Sequence, residues 1–121
     1  FINSVDKDGF KNGYDLELFS MIKSFVDIPI IFCGGVGNTA HILDGIKAGI
    51  NAIAIGNYFH FSEMSVIVTK DILREMNIDV RRDTYARFHN LNFDPNTFRI
   101  KKLDDNILND MRFQSIPEEV I

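Results

Sequence analysis

The apolar residues of this chain form short continuous runs that alternate with stretches of helical spacing. Residues 30–33 and 52–55 are continuous apolar runs, a pattern typical of parallel strands that are buried on both faces. Residues 1–5 are a third apolar run, and the turn residues Asp-Lys-Asp-Gly that follow favour the end of a strand. The pattern therefore predicts three strands.

The stretches after these runs predict three amphipathic helices. Their predicted inner faces are Tyr14, Leu18, Met21, Ile22 and Phe25 in the first, Ile42, Leu43 and Ile46 in the second, and Val68, Ile72, Leu73 and Met76 in the third. Asn38 or Thr39 and Ser62 are candidate N-caps, and Gly49 is a candidate stop signal. This regular alternation predicts right-handed crossovers and a parallel sheet, with the loops that follow the strands gathered at one edge.

The last third of the chain has a different pattern. Residues 83–121 are more polar and irregular, and only Leu103, Ile107, Leu108 and Met111 predict a short helix there. We therefore divide the chain into an α/β part, residues 1–82, and an appended tail, residues 83–121. A complete eight-stranded barrel of βα units needs about 250 residues. Because the chain has 121 residues and begins with Phe1, we expect it to be a fragment.

Composition excludes several classes of partner. The formal charge of −4 and the absence of a dense Lys/Arg block give no reason to expect nucleic-acid binding. A single cysteine, Cys33, excludes an internal disulfide, and no Cys/His cluster has the spacing of a zinc site, so we predict a cytoplasmic protein without metal or other cofactor. The longest uncharged stretch, residues 28–43, is broken by Pro29 and three glycines, so no membrane span is predicted.

Two glycine turns are the first candidate site. Gly34 and Gly35 lie in a Gly-Gly-Val-Gly turn between a strand and a helix, and Gly56-Asn57 occupies the same place one unit later. Free backbone N–H groups and two helix dipoles would then point to the same edge of the sheet, which favours a phosphate site. The alternative is that these glycines only permit tight turns and close packing.

The acidic loop after the first strand is the second candidate. Asp6 and Asp8 lie two residues apart, and a carboxylate at the carboxyl end of a strand can act as a general acid or base. The alternative is an ordinary Asp-Gly turn. His41 and His89 have no partner at a useful spacing, and His60 is more typical of a packed histidine than of a ligand.

Three motifs together resemble one known family. Ser-Val-Asp-Lys-Asp-Gly-Phe-Lys-Asn-Gly-Tyr-Asp from Ser4, Ile-Pro-Ile-Ile-Phe-Cys-Gly-Gly-Val-Gly from Ile28, and Phe-His-Phe from Phe59 resemble the cyclase subunit of imidazole glycerol phosphate synthase, the HisF family. The resemblance extends from about Phe1 to Arg81 and implies a partial TIM-type (βα) barrel made of the last three βα units. The tail has no counterpart in the usual cyclase.

The resemblance implies a lyase of histidine biosynthesis. Ammonia from a HisH-like glutaminase subunit would cyclise a bis-phosphorylated ribulosyl aminoimidazole carboxamide, giving imidazole glycerol phosphate and a purine precursor. Asp8 matches the general acid of the family, and Asp6 would be a supporting residue. The residues that would bind the phosphorylated substrate are Asn3, Gly9, Cys33, Gly34, Gly35, Gly56 and Asn57.

Departures from the family pattern keep two other functions open. Asn3, Cys33 and Asn57 stand where the family usually has hydroxyl residues, and similar substitutions occur in HisF-like proteins of surface-polysaccharide synthesis, which relay ammonia to an amidotransferase that makes acetamidino sugars. The second aspartate and second phosphate site of the family would lie in the first half of the barrel. We therefore expect the chain to be inactive alone and its bare strands to associate. The other alternative is a non-catalytic remnant.

Overall fold

We describe a computed structural model of the chain over residues 1–61, 64–81, 93, 94, 96, 100, 101 and 104–106. Three short parallel strands form one sheet in the order β1-β2-β3. The strands are β1 (Ile2–Asn3), β2 (Ile31–Cys33) and β3 (Ala52–Ile53), and the helices are α1 (Leu16–Lys23), α2 (Thr39–Lys47), a 3-10 helix (Asn57–His60) and α3 (Ser65–Glu75). The alternating order and the parallel sheet confirm the predicted α/β class.

The registers of the strands place residues on two opposite faces of the sheet. Ile2 is paired with Phe32, and Phe32 is paired in turn with Ile53. Strand β3 is shorter than the predicted run of residues 52–55, but the Ala54 N–H still donates to the Phe32 carbonyl oxygen at 3.0 Å. Because side chains alternate along a strand, Ile31 points away from the face that carries Phe32.

The described helices cover the face that carries Phe32. This ring is fully buried and meets the rings of Tyr14 and Phe19 edge-on, with centroid distances of 5.8 Å to each. On the opposite face, the side chains of Ile31 and Phe1 are 42% and 78% exposed. The prediction that the strands are buried on both faces is therefore wrong for the described residues, since the described helices all pack on one side.

Helix α1 corrects the predicted inner face of the first helix. It begins at Leu16 and not at Tyr14, because the Asp15 side chain caps it by accepting from the Leu18 N–H at 3.0 Å. Phe19, which the periodicity left out, is 2% exposed, whereas Met21 is 61% exposed. Phe25, beyond the end of the helix, is 81% exposed and does not belong to the inner face either.

Helix α2 has the predicted boundaries. The Asn38 side chain caps it by accepting from the His41 N–H at 3.0 Å, and Gly49, with φ +90°, follows its end as predicted. Ile42 and Leu43 are buried, in agreement with the predicted inner face.

Helix α3 begins later than predicted, after the unforeseen 3-10 helix. Met64 precedes it with φ +52°, and the candidate cap Ser62 lies outside the described residues. The inner-face residues Ile72 and Leu73 are buried as predicted.

Most of the predicted tail, residues 83–121, also lies outside the described residues, and so does the short helix predicted around Ile107. Within the tail, Phe93 and Ile100 form an isolated antiparallel bridge. A search of the described helices finds none with the length and hydropathy that crossing a bilayer requires.

Candidate functional site

The loops after the three strands meet in one small pocket at the carboxyl edge of the sheet. Its volume is about 20 Å³. Its lining consists of Asp8 and Gly9 after β1, Cys33, Gly34, Gly35 and Val36 after β2, and Ala54, Ile55, Gly56, Asn57 and Tyr58 after β3. The parallel sheet thus brings seven of the nine predicted site residues to one pocket.

The glycine turn after β2 packs tightly against the acidic loop. Gly34 and Gly35 have φ values of +101° and +96°, which side chains with a Cβ rarely adopt. A Cβ on Gly35 would overlap the Gly13 carbonyl group, and the Gly13 N–H donates to the Gly35 oxygen at 2.8 Å. Close packing is therefore one reason for glycine at this turn, independently of any phosphate binding.

The same turn also leaves hydrogen-bond donors available at the pocket. Within residues 1–61 and 64–81, no backbone acceptor is found for the N–H groups of Gly35, Val36 and Asn57. Helix α2, nine residues long, begins at Thr39 directly after the turn, so the positive end of its dipole faces the same side. This arrangement suits an anionic group such as a phosphate.

Gly56 combines free space around its Cβ position with a negative φ, whereas Gly9, Gly34 and Gly35 all have a positive φ. Its φ is −108°, and no atom of the described residues beyond its chain neighbours lies within 4 Å of the position that a Cβ would occupy. The backbone and neighbours therefore impose no steric need for glycine at this position. The open space adjoins the pocket, where a bound group could approach the backbone closely.

Asp8 is the acidic residue in the pocket lining. Its loop is closed by a hydrogen bond of 3.0 Å from the Asp8 N–H to the Ser4 carbonyl oxygen. The Asn3 amide nitrogen lies 3.5 Å from the Asp8 Oδ2, so Asn3 adjoins the pocket through Asp8 and does not line it. Asp6 is exposed and lies outside the pocket lining.

A cation from the acidic loop lies over an aromatic ring from the third loop. The Lys11 Nζ lies 3.5 Å from the centroid of the Phe61 ring. This cation–π contact joins the loop after β1 to the loop after the 3-10 helix. Within the part of the chain that the structure describes, no three His, Cys, Asp or Glu side chains are grouped as metal ligands.

His41 has a partner that the sequence reasoning missed. The Gly37 N–H donates to the His41 Nδ1 at 3.1 Å, so the neutral imidazole holds the end of the glycine turn. Burial lowers the pKa of His41, and the neighbouring Asp44 opposes this shift. A histidine four residues after the last glycine of a turn, at the start of a helix, was the available signal.

Comparison with known proteins agrees with the resemblance. A model of the histidine biosynthesis protein family matches residues 1–65. Imidazole glycerol phosphate synthase subunit HisF of Corynebacterium glutamicum (strain R) is 38% identical over 81 residues, which are 67% of this chain and 31% of the relative. The subunit HisF of Streptomyces coelicolor is 39% identical over 80 residues, 66% of this chain and 32% of that protein.

The same subunit of Salinispora arenicola is 41% identical over 80 residues, which are 66% of this chain and 31% of the relative. The chain therefore spans about a third of the length of the curated relatives it matches. These matches confirm the resemblance to HisF and the assignment of the three βα units to a partial TIM-type barrel.

Proposed function

The chain belongs to the histidine biosynthesis protein family, and from this premise we propose that it is part of an imidazole glycerol phosphate synthase cyclase subunit of the cytoplasm. Within that subunit, the chain would bind a phosphate of the substrate and supply one general acid. The observation that carries this proposal is the meeting of Asp8 with both glycine turns in one pocket. The substrate would be a bis-phosphorylated ribulosyl aminoimidazole carboxamide.

The phosphate site is assigned to the N–H groups of the turn after β2 and to Gly56-Asn57. Donors fixed by backbone geometry need little reorganisation when an anion binds, which makes them effective partners for a phosphate. The pocket of about 20 Å³ admits one phosphate oxygen more readily than a whole substrate. The remainder of the substrate would therefore extend over the bare sheet face, where Asn3 lies.

Asp8 is assigned as the general acid because it is the acidic side chain that lines the pocket. A carboxyl group within hydrogen-bond reach of a substrate held by its phosphate can donate a proton to, or accept one from, the closing ring. Ammonia would reach the substrate from a glutaminase subunit. The relatives are named as subunits of a synthase, and this naming supports a partner.

The test compares Asp8→Asn with Asp27→Asn, a control in the exposed loop between α1 and β2. Both are measured in the protein expressed from the complete gene, with ammonium ion and the bis-phosphorylated substrate. Asp8→Asn should lower kcat by about 10²- to 10⁴-fold with little change in KM, because the carboxyl acts in the transition state. Turnover that survives Asp8→Asn would remove this residue from the mechanism.

A second function is supported by the positions of two unusual residues. Cys33 and Asn57, which replace family hydroxyls, both line the pocket. The altered contacts favour a different substrate, and the second candidate is an ammonia-relay subunit for an amidotransferase acting on acetamido sugars. Failure of the gene to complement a histidine auxotroph, with phosphate binding retained, would favour this function. Failure of both complementation and phosphate binding would favour the non-catalytic remnant.

A further inference from the structure

Three hydroxyl groups connect the turn after β3 to the two helices that flank it. The Tyr58 hydroxyl lies 3.2 Å from the Thr39 Oγ1 and 3.4 Å from the Thr69 Oγ1. Thr39 is the first residue of α2, and Thr69 lies within α3. The two threonines are 0% and 4% exposed, so water does not compete for these hydrogen bonds.

We propose that Tyr58 is a positioning residue that holds the Gly56-Asn57 turn against the glycine turn at the phosphate pocket. This inference rests on the proposed phosphate site and assigns a role to a side chain that no motif includes. Tyr58 lines the pocket with its neighbours Gly56 and Asn57, while its hydroxyl is anchored between two buried threonines. These contacts therefore restrain the backbone next to Asn57.

The anchor joins the two halves of the phosphate site through helix α2. The glycine turn ends where α2 begins, so Thr39 is attached by the chain itself to Gly34-Gly35. Tyr58 is attached in the same way to Asn57. The hydrogen bond from one hydroxyl to the other thus sets the distance between donors that come from two separate loops, which is the requirement for a preorganised anion site.

A second contact supports the same turn from α3. The Ser65 Oγ donates to the Phe59 carbonyl oxygen at 2.9 Å, and Ser65 is 7% exposed. Within the turn, the Phe59 N–H donates to the Gly56 oxygen at 3.1 Å. This last hydrogen bond reports on the order of the turn, because its amide exchanges with solvent when the turn opens.

The test uses Tyr58→Phe, which keeps the ring and removes the hydroxyl. Tyr14→Phe is the matched control, because among the described residues the buried Tyr14 hydroxyl has no hydrogen-bond partner and lies outside the pocket lining. Binding of inorganic phosphate to the full chain is measured by titration, and exchange of the Phe59 amide by NMR. Tyr58→Phe should weaken phosphate binding about fivefold, which is roughly 1 kcal/mol, and accelerate Phe59 exchange. Tyr14→Phe should change neither.

A triple variant separates positioning from simple stability. Tyr58→Phe combined with Thr39→Val and Thr69→Val leaves no hydroxyl unpaired, so its Tm should return toward that of the parent chain. Its phosphate affinity should stay low, because the two loops are no longer connected. Recovery of affinity together with Tm would overturn the positioning role.

The remaining outcomes distinguish the two proposals. If the parent chain binds no phosphate, the proposed phosphate site fails, whereas Phe59 exchange still tests the anchor. Unchanged exchange in Tyr58→Phe, or accelerated exchange with unchanged phosphate affinity, would overturn the inference about Tyr58.

Discussion

Replacing three pocket glycines by alanine, one at a time, should change the free energy of unfolding by graded amounts. Gly35 combines φ +96° with a Cβ position that overlaps the Gly13 carbonyl group. Gly9 has φ +77°, but among the described residues no atom beyond its chain neighbours lies within 4 Å of its Cβ position. Gly56 has a negative φ, and no other described residue lies close to its Cβ position. The three substitutions add the same methyl group, so their differences isolate strain and overlap.

The magnitudes follow from these geometries. Placing a residue with a Cβ in the left-handed region lowers the free energy of unfolding by about 1–2 kcal/mol, and this strain is the whole native-state cost expected for Gly9→Ala. Any Gly→Ala change also restricts the unfolded chain, which raises the free energy of unfolding by about 0.4–1 kcal/mol. For Gly35→Ala the overlap also breaks the 2.8 Å hydrogen bond from the Gly13 N–H, which adds roughly 1 kcal/mol. We therefore expect a loss of about 2 kcal/mol for Gly35, a loss of about 1 kcal/mol for Gly9, and a gain of about 0.4–1 kcal/mol for Gly56.

Urea denaturation of the three variants measures this series, and titration with inorganic phosphate measures their phosphate affinity separately. Gly56→Ala should lose no stability but bind phosphate less well, because its methyl group occupies the open space beside the pocket. If Gly35→Ala proves too unstable to measure, the difference between Gly9 and Gly56 still tests the strain argument. Equal losses at all three positions would refute it.

Three further predictions concern other parts of the structure. Because burial lowers the pKa of His41, its stabilising contribution should be present above its ordinary pKa of 6.5 and be lost as the pH falls below it. Urea midpoints measured between pH 7.5 and 5.5 should therefore fall less in His41→Gln than in the parent chain, and an equal fall would contradict this assignment. The cation–π pair of Lys11 and Phe61 should give a coupling energy of about 0.5 kcal/mol in a double-mutant cycle of Lys11→Met and Phe61→Leu, and a value of zero would refute the contact. Phe32→Ala should lower the unfolding free energy by about 3–5 kcal/mol, whereas Ile31→Lys should change it by less than about 0.5 kcal/mol. Ile31→Lys should also reduce self-association in sedimentation. Equal losses of stability would contradict the assignment of the two sheet faces.

The elements could be predicted because local signals for them were strong. Asn38 and Gly49 bracket α2 with a cap and a stop, and neither signal depends on the rest of the fold. The first helix was predicted less well, since its apolar residues are not confined to one stripe. Met21 and Phe25 satisfied the spacing, yet the structure buries Phe19 because this ring packs against Phe32. Periodicity reports amphipathicity, but it does not say which neighbouring surface a helix covers.

The site could be predicted where it depends on loops and topology. Parallel strands place their following loops at one edge, so the topology alone predicts that Asp8, Gly34 and Gly56 lie together, and all three line the pocket. The hydroxyl group of Tyr58 could not be foreseen in this way. Its partners Thr39 and Thr69 are 19 and 11 residues away, and no local spacing connects them.

The bare face of the sheet explains why the strands look buried in sequence but are exposed in structure. The continuous apolar run of residues 30–33 has side chains suited to burial on both faces of the sheet, whereas the described helices cover the face that carries Phe32. In a closed barrel the opposite face turns inward and is filled by side chains of the other strands. Ile31 and Phe1 therefore mark the inner surface of the family's barrel, and the pocket with Asp8 opens at the edge of that surface. A charged residue at Ile31 is consequently harmless while the sheet stays open and strongly destabilising once the barrel closes around it, so the same substitution reports which of the two states the protein adopts.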